Sequence, residues 1–389
     1  MNNKLSSPLI HEYDIFDKHS IANVASKYGF YRNYILEKHL WVYELIGQFQ
    51  RKCSDNCILK GGACTQLYLP LHVQRCTADI DFLTNLSSSD IIKILTSIKQ
   101  EFSSYKIKTS FYQYTPAKGK TLPMATFMLE LPFHFRPNKK IKNPSLKFDF
   151  LFIDINPLHT YKPLNCKTFG MNLNYSPLCI CHNTLISDKL LTFAINSVGL
   201  ETFKLDSFYK NIYDLYYLVT TFDDLNTFKT VSKYILQSIS LELSLKNLPS
   251  VNVNKVLNDI LKTLFYFSIV DLNYEHNRTP KKLEKFQKLF LQSAIKMNLD
   301  SNTWSIMSMH LYLWANALKK YIHNVNHCEL TKLSLVKKEY SEFLSFNSKT
   351  KKKYIKNLKH KISSKNKLFN LRHINDPVRI IYTYYLLFD

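Results

Sequence analysis

The sequence predicts an α+β fold that begins with helices, continues through a strand-rich region and ends in an all-helical domain. Apolar residues between positions 18 and 50 recur with the period of a helix. From about 103 to 182, short apolar stretches are separated by prolines, a pattern typical of strands joined by loops. After position 183, helical patterns follow one another almost without interruption. We therefore predict two domains, at residues 1–200 and 201–389.

Local signals place the individual elements in order along the chain. Leu36, Leu40 and Tyr43 belong to one apolar helical face. The hydroxyl of Ser87 is predicted to cap a helix that runs to about Phe102. Strands are predicted at 57–60, 80–83, 106–112, 125–131, 146–155 and 178–182. Helices of the C-terminal part are predicted at 184–198, 207–221, 226–245, 252–271, 281–298, 303–323, 331–346, 349–363 and 376–388.

The chain is strongly basic, with a formal net charge of +22. This excess predicts a polyanionic partner, and nucleic acid comes first because the neutralisation of phosphates drives such binding. A membrane surface is the alternative, but we find no apolar run long enough to span a bilayer and no signal-peptide pattern. The eight cysteines are scattered. They favour reduced thiols and a cytoplasmic protein over a disulfide framework.

One segment concentrates the positive charge. Residues 349–372 hold ten Lys or Arg and no Asp or Glu, with Tyr354 and Phe369 among the interleaved apolar residues. A solvated helix face is the ordinary explanation of a charge run. Ten cations without an anion go beyond that, so we predict that this segment contacts the backbone of RNA or DNA.

A glycine pair and a pair of aspartates indicate the chemistry. Gly61 and Gly62 follow an apolar strand, and a turn without side chains lets backbone N–H groups approach a phosphate. Asp79 and Asp81 share one face of the next strand, because side chains at i and i+2 point the same way. Paired carboxylates repel each other unless a cation neutralises them, and Mg²⁺ prefers such oxygen ligands. The pattern predicts a metal-dependent site for a nucleoside triphosphate.

A site with two metal ions needs a third carboxylate on a neighbouring strand. The stretch 147–156 offers Asp149 and Asp154, which strand alternation places on opposite faces, so we expect only one to serve. We prefer Asp154, because it lies just before the loop at Pro157, where a strand end can line a cleft. The prediction is therefore two Mg²⁺ ions bound by Asp79, Asp81 and Asp154, with Asp149 as the alternative third ligand.

Downstream residues can stabilise the charge of the phosphates. Lys189 lies in or at the start of a helix, from which its ammonium group can neutralise a leaving pyrophosphate. An ordinary solvated lysine is the alternative. Lys210 and Asp214 lie one helical turn apart on one face, where a surface ion pair is the default interpretation.

Taken together, these residues resemble a known family. The matching positions are Glu37-Lys38, Leu59-Lys60-Gly61-Gly62, Arg75, Thr77, Asp79-Ile80-Asp81-Phe82, Lys189, Lys210 and Asp214. Over about residues 30 to 220 the sequence is similar to the AbiEii-type nucleotidyltransferase toxins of abortive-infection systems. Two positions depart from the family pattern: His39 replaces an aspartate, and Asn211 replaces the first acid of the last motif. Residues beyond 220 match no family that we can name.

The resemblance implies a polymerase-β-like fold with a mixed sheet, and Mg²⁺-dependent transfer of a nucleotide from an NTP. In the toxin members the acceptor is the 3′ end of tRNA, and a paired antitoxin restrains the activity. For this sequence it implies that Gly61 and Gly62, assisted by Thr77, hold the triphosphate. It also implies that Lys189 stabilises the charge on the phosphates. Lys210 and Asp214 would then belong to the nucleotide-binding residues.

Two alternatives remain open at the level of sequence. Asn211 and the uncertain third carboxylate are compatible with an RNA-binding protein on a retired nucleotidyltransferase scaffold. An active enzyme with another acceptor, a protein side chain or a small molecule, is the second alternative. The basic segment argues against a small-molecule acceptor, which would not need it.

Overall fold

The structure of the protein is a computed structural model that describes residues 8–114, 122–137, 144–200, 205–269, 281–323, 331–366, 369, 371 and 374–388. Its internal contacts divide the chain into two units. The first comprises Met1–Leu185 and Gln287–Ile295, and the second comprises Ile186–Phe286 and Lys296–Asp389. The division therefore falls upstream of position 200, and the first unit includes a segment that the sequence did not assign to it.

The first unit contains the N-terminal helices and the whole sheet. Asp17 starts the first helix by accepting hydrogen bonds from the backbone N–H groups of His19 and Ser20. Ser87 caps a later helix through Asp90 N–H, at 3.2 Å, as its sequence position predicted. The helices are α1 (Lys18–Tyr28), α2 (Asn33–Cys53), α3 (Gly61–Tyr68), α4 (Ser88–Ser104) and α5 (His182–Leu191), of which α5 continues into the second unit.

The sheet of the described residues has seven strands in the order β3-β4-β5-β2-β1-β9-β6. Its central strand β2 is antiparallel to β1 and parallel to β5, so the sheet is mixed. A separate pair, β7 and β8, forms a small antiparallel ladder. The strands are β1 (Cys57–Lys60), β2 (Asp79–Thr84), β3 (Ser110–Tyr114), β4 (Met124–Glu130), β5 (Ser145–Phe152), β6 (Thr160–Tyr161), β7 (Lys167–Thr168), β8 (Met171–Asn172) and β9 (Cys179–Ile180).

The two faces of the sheet differ in polarity. One face carries Phe82, Phe148 and Phe150, which are buried and pack against Phe49 of α2. The ring centroids of Phe49 and Phe150 are 5.1 Å apart. Because successive side chains alternate along a strand, the residues between these phenylalanines face the other way. The apolar core against α2 thereby leaves the opposite face of β2 and β5 for polar side chains.

The described elements of the second unit are all helices. They are α6 (Leu205–Thr221), α7 (Leu225–Leu245), α8 (Val253–Ile269), α9 (Lys281–Phe290), α10 (Ser293–Asn298), α11 (Ser301–Ile322), α12 (Thr331–Ser345), α13 (Ser348–Lys365) and α14 (Pro377–Leu387), with α9 and α10 reaching into the first unit. Helix α11 packs against α6, α8 and α14. The α+β class with a mixed sheet and many helices is thus confirmed. Across the described ranges, every helix is too short or too polar to traverse a lipid bilayer.

Candidate active site

The predicted glycine turn is the start of a helix. Strand β1 ends at Lys60 and α3 begins at Gly61, whose φ of +70° lies in the left-handed region that favours glycine. A Cβ atom at Gly61 would lie 2.0 Å from Oδ2 of Asp81. A Cβ atom at Gly62 would lie 3.2 Å from Oγ1 of Thr77 and from Nη2 of Arg75. The structure therefore brings Gly61 against Asp81, and Gly62 against Arg75 and Thr77. Both glycines lie at a helix N-terminus, whose N–H groups favour anions.

The register of the sheet aligns three carboxylates on the polar face. Asp81 lies opposite Lys60 of β1 on one side and opposite Asp149 of β5 on the other. Asp79 lies opposite Lys147 of β5. Residues paired across neighbouring strands project to the same face, and the strands are about 4.8 Å apart. Asp79, Asp81 and Asp149 thus lie close together, with all three side chains half-buried.

This geometry favours Asp149, the alternative, over Asp154 as the third carboxylate. Strand β5 ends at Phe152, and Asp154 is exposed beyond it. Its Oδ1 atom accepts a hydrogen bond from the backbone N–H of Asn156 at 3.0 Å. The predicted strand, 146–155, extended three residues beyond the observed end at Phe152. Asp149 is accommodated within the strand because it faces the polar side of the sheet and has two polar partners.

Those partners are Lys147 and Thr126. The Thr126 hydroxyl donates to Oδ1 of Asp149 at 2.6 Å, and the Lys147 ammonium group donates to Oδ2. Burial lowers the pKa of Lys147, but the hydrogen bond to Asp149 and the charges of Asp149, Asp79 and Asp81 outweigh it and raise that pKa above its usual value. Lys147 is therefore a cation that partly neutralises the carboxylates, with its ion pair directed to Asp149. Lys147 was not among the predicted site residues, although Lys147 and Asp149 have the i, i+2 spacing that places two strand residues on one face.

No three His, Cys, Asp or Glu side chains within the described ranges are grouped so that they could bind a metal ion as they stand. The donor chemistry of the aspartate row nevertheless suits a hard cation, because carboxylate oxygens are the ligands that Mg²⁺ prefers. The Asp149 carboxylate is turned towards Lys147 and Thr126.

Helix α2 carries the predicted Glu37-Lys38 pair, which acts on the site and on the chain after β4. The Glu37 carboxylate is fully buried and accepts hydrogen bonds from the backbone N–H groups of His134 and Phe135, at 2.7 and 2.9 Å. Burial raises the pKa of Glu37 to about 7, against the two hydrogen bonds, which lower it. Burial lowers the pKa of Lys38, and the charge of Asp79 partly offsets this. Glu37 thereby fixes the chain after β4, and the charge of Lys38 acts on Asp79.

His39, a departure from the family pattern, positions the segment before β2. Its Nδ1 atom accepts a hydrogen bond from the backbone N–H of Thr77 at 3.0 Å. The proton of a neutral ring must then be on Nε2, which donates to the Thr168 hydroxyl. Burial, with the charge of Arg75, lowers the pKa of His39 to about 3, so the ring is neutral at physiological pH. An aspartate could accept from the same N–H, which explains how a histidine fills this position.

We expect Glu37→Gln to change the pH dependence of stability in one direction. The folded-state pKa of about 7 exceeds the ordinary value of 4.5. Between these values the native state binds more protons than the unfolded chain, so the wild type loses stability as pH rises through the window. Glutamine does not titrate. The free energy of unfolding of the wild type minus that of the variant should therefore fall across the window, by roughly 3 kcal/mol.

Urea denaturation of both proteins at several pH values from about 4.5 to 7.5 measures this difference. Taking the difference removes the contribution of His39, whose lowered pKa acts in the opposite direction because its protonation destabilises the fold at low pH. A difference that is flat, or that rises with pH, would show that the Glu37 carboxylate is not destabilised by burial.

The downstream candidates belong to the second unit. Nζ of Lys189 lies 2.7 Å from Oδ2 of Asp214 and 3.4 Å from Oδ1 of Asn211. All three residues are buried, and the side chain of Asp214 is completely buried. Lys210 is half-buried on α6, one turn before Asp214. Asn211 keeps an oxygen atom near the lysine but lacks the charge of an acid. The roles of Lys189, Lys210 and Asp214 towards a nucleotide stay predictions.

A mixed sheet with an Asp-x-Asp strand beside a glycine-initiated helix and an acid on the next strand has the features of a nucleotidyltransferase core. The chain belongs to the family described as nucleotidyl transferase AbiEii toxin of type IV toxin–antitoxin systems, whose sequence model matches residues 49–280. This confirms the resemblance found in the sequence, and family membership implies a cognate antitoxin as a partner.

Solved structures of nucleotidyltransferases also match. The MenT4 nucleotidyltransferase toxin from Mycobacterium tuberculosis is 11% identical, with 79% of this chain and 99% of that chain covered and a TM-score of 0.44. An antigenic nucleotidyltransferase-like protein from Paracoccidioides brasiliensis is 15% identical, with 54% and 92% covered and a TM-score of 0.31. None of the curated proteins compared with the chain matches it.

Proposed function

We propose that this protein is a Mg²⁺-dependent enzyme that transfers an NMP from an NTP to an RNA acceptor, with the 3′ end of tRNA as the first candidate. The observation that carries the proposal is the alignment of Asp81 with Asp149, next to a helix that starts at Gly61. An acceptor of this kind also predicts a cytoplasmic location. The family supports nucleotidyl transfer by a toxin; the metal and the RNA are our inference.

Asp79, Asp81 and Asp149 are the residues that would hold two Mg²⁺ ions. Bound Mg²⁺ would supply positive charge to the phosphates and lower the pKa of a hydroxyl next to it. For this, the hydrogen bond that the Lys147 ammonium group donates to Oδ2 of Asp149 must break. The half-exposed Lys147 side chain, with 43% of its surface accessible, has room to move aside.

In the proposed reaction the acceptor hydroxyl oxygen forms a bond to the α-phosphorus as the bond to the β-phosphate oxygen breaks. Asp149 would accept the proton of the hydroxyl, because a carboxylate is a general base when it is ionised. The N–H groups at the start of α3 are proposed to hold the phosphates, because a helix N-terminus favours anions. The space beside Gly61 is filled by the Asp81 carboxylate, so that side chain would have to turn away or bind a cation first. Lys189 is proposed to neutralise the leaving pyrophosphate.

The basic helix α13 supports RNA as the acceptor. Lys349, Lys353, Lys356 and His360 recur every three or four positions on its exposed face, opposite the buried Leu358. No carboxylate within the described ranges forms an ion pair with these three lysines. An unpaired row of cations attracts a phosphate backbone, because binding releases the counterions of the nucleic acid. This adds to a net charge of +22.

The proposal is tested by incubating the protein with each labelled NTP in turn and with total RNA. We expect one or more NTPs to label an RNA species, and a chelator of divalent ions to prevent the labelling. Asp79→Ala should abolish the labelling while its melting temperature stays close to that of the wild type, because the Asp79 side chain is half-exposed. No labelled RNA with any NTP would contradict the proposal, and a labelled protein would instead identify a protein acceptor.

A second candidate is an RNA-binding protein on a retired scaffold. Two observations favour it: Lys147 occupies Asp149, and Asn211 stands where the family has an acid. This candidate predicts that Mg²⁺ and NTP together leave the melting temperature unchanged while RNA still binds tightly. An increase of the melting temperature with NTP and Mg²⁺ would exclude it, because a ligand that binds only the native state stabilises that state.

A further inference from the structure

The polar face of the sheet continues beyond the aspartates to its edge strand. The pairing of β5 with β4 places Thr126 beside Asp149 and Met128 beside Lys147. The pairing of β4 with β3 places Tyr114 beside Thr126 and Tyr112 beside Met128. Paired residues project to the same face. Two rows of side chains therefore cross this face of the sheet. One runs from Asp149 through Thr126 to Tyr114, and the other from Lys147 through Met128 to Tyr112.

These tyrosines are exposed, while the other face of their strand packs against the neighbouring strand. Tyr112 and Tyr114 each leave 52% of their surface accessible, whereas Phe111, on the other face of β3, packs its ring against Phe127. Two large, exposed aromatic side chains at i and i+2 thus lie side by side on one face of the sheet. Aromatic rings on an open sheet are a recurring means of stacking unpaired bases.

The strand order places this surface on a definite side of the reaction centre. The sequence of strands is β3-β4-β5-β2-β1, so Gly61 lies at the β1 side of Asp81, and the tyrosines lie at its β5 side. In phosphoryl transfer the attacking and leaving oxygens are roughly in line, on opposite sides of the phosphorus. If the triphosphate occupies the glycine turn, the acceptor hydroxyl enters from the side of the tyrosines.

We propose that Tyr112 and Tyr114 bind the acceptor by stacking on an unpaired base near its 3′ end. The inference rests on the proposed function and deepens it, because it specifies a single-stranded RNA end rather than a duplex. Tyr114 is separated from Asp149 by two strand spacings, about 10 Å. The terminal nucleotides of one RNA strand can bridge that distance. The occupant is the acceptor and not the NTP base, because the glycine turn fixes the NTP on the other side.

The test measures binding of a short single-stranded oligoribonucleotide and of a blunt-ended duplex of the same sequence, by fluorescence anisotropy without NTP. Replacing both tyrosines, Tyr112→Leu with Tyr114→Leu, should weaken binding of the single strand by at least roughly tenfold, because each stacked base contributes about 1–3 kcal/mol. Duplex binding, which depends on phosphates, should not change. The corresponding double phenylalanine variant keeps the rings and should bind the single strand like the wild type.

Tyr13→Leu is the matched control, since Tyr13 is 62% exposed and lies in the 3-10 helix Tyr13–Phe16. In the transfer reaction the double leucine variant should raise KM for the RNA and leave KM for the NTP unchanged. Unchanged single-strand affinity, or an effect confined to KM for the NTP, would overturn the inference. Failure of the proposed function is distinguishable, because the wild type itself would then transfer no label.

Discussion

Asp149→Asn is expected to lower the rate of nucleotide transfer by roughly 10²–10⁴-fold, the range that a general base contributes. Asparagine has the same shape and can still accept the hydrogen bond from Thr126. It lacks the negative charge that would bind a cation, and it cannot take a proton from the acceptor hydroxyl. The initial rate of label transfer to RNA at saturating NTP measures the effect.

Asp154→Asn is the matched control, because Asp154 is the other acid of the same chain segment. Its side chain is exposed and accepts only a local hydrogen bond from Asn156. We expect this variant to transfer label at nearly the wild-type rate. If Asp154→Asn were inactive and Asp149→Asn active, the assignment from the strand register would be wrong.

Gly61→Ala is expected to abolish transfer and to destabilise the fold by about 1–3 kcal/mol. A residue with a Cβ atom is strained at the φ of +70° found here, and that Cβ would lie 2.0 Å from a carboxylate oxygen of Asp81. One of the two groups must therefore move, and each belongs to the site. Label transfer and urea denaturation of the variant measure the two effects separately.

Gly62→Ala provides the comparison within the same turn. Its Cβ would lie 3.2 Å from Arg75 and Thr77, and its backbone is not in the restricted region. Small displacements of these neighbours can accommodate the methyl group, so we expect a smaller loss of activity and of stability. Equal effects at Gly61 and Gly62 would argue that the crowding of Asp81 is not the cause.

The sequence was informative wherever the signal is local. Gly61, Asp79 and Asp81 could be assigned because a turn and an i, i+2 pair need only their neighbours in the chain. The third carboxylate could not, because its position depends on the parallel pairing of β2 with β5, two strands far apart in the sequence. The alternation of side chains predicts which face a residue points to only within the strand itself. Strand β5 ends at Phe152, so the alternation says nothing about Asp154.

Contacts distant in sequence account for the other differences. The two hydrogen bonds of Glu37 are made with residues 134 and 135, and that of His39 with Thr77. The segment Gln287–Ile295 belongs to the first unit, where Phe290 accepts a backbone hydrogen bond from Cys76 at 2.9 Å and the side-chain amide of Gln292 donates to the backbone of Leu71. A single sequence carries no pattern for such contacts, so a domain boundary drawn from composition alone could not include them.

The ammonium group of Lys147 gives the aspartate row a counter-ion that is part of the chain. This single positive charge offsets part of the repulsion among the carboxylates on β2 and β5 before any divalent ion binds. If the enzyme uses magnesium as we propose, its uptake would be an exchange of one cation for another, and its apparent affinity would reflect the difference between the two bound states. An enzyme built in this way would remain assembled but idle when the supply of free magnesium falls.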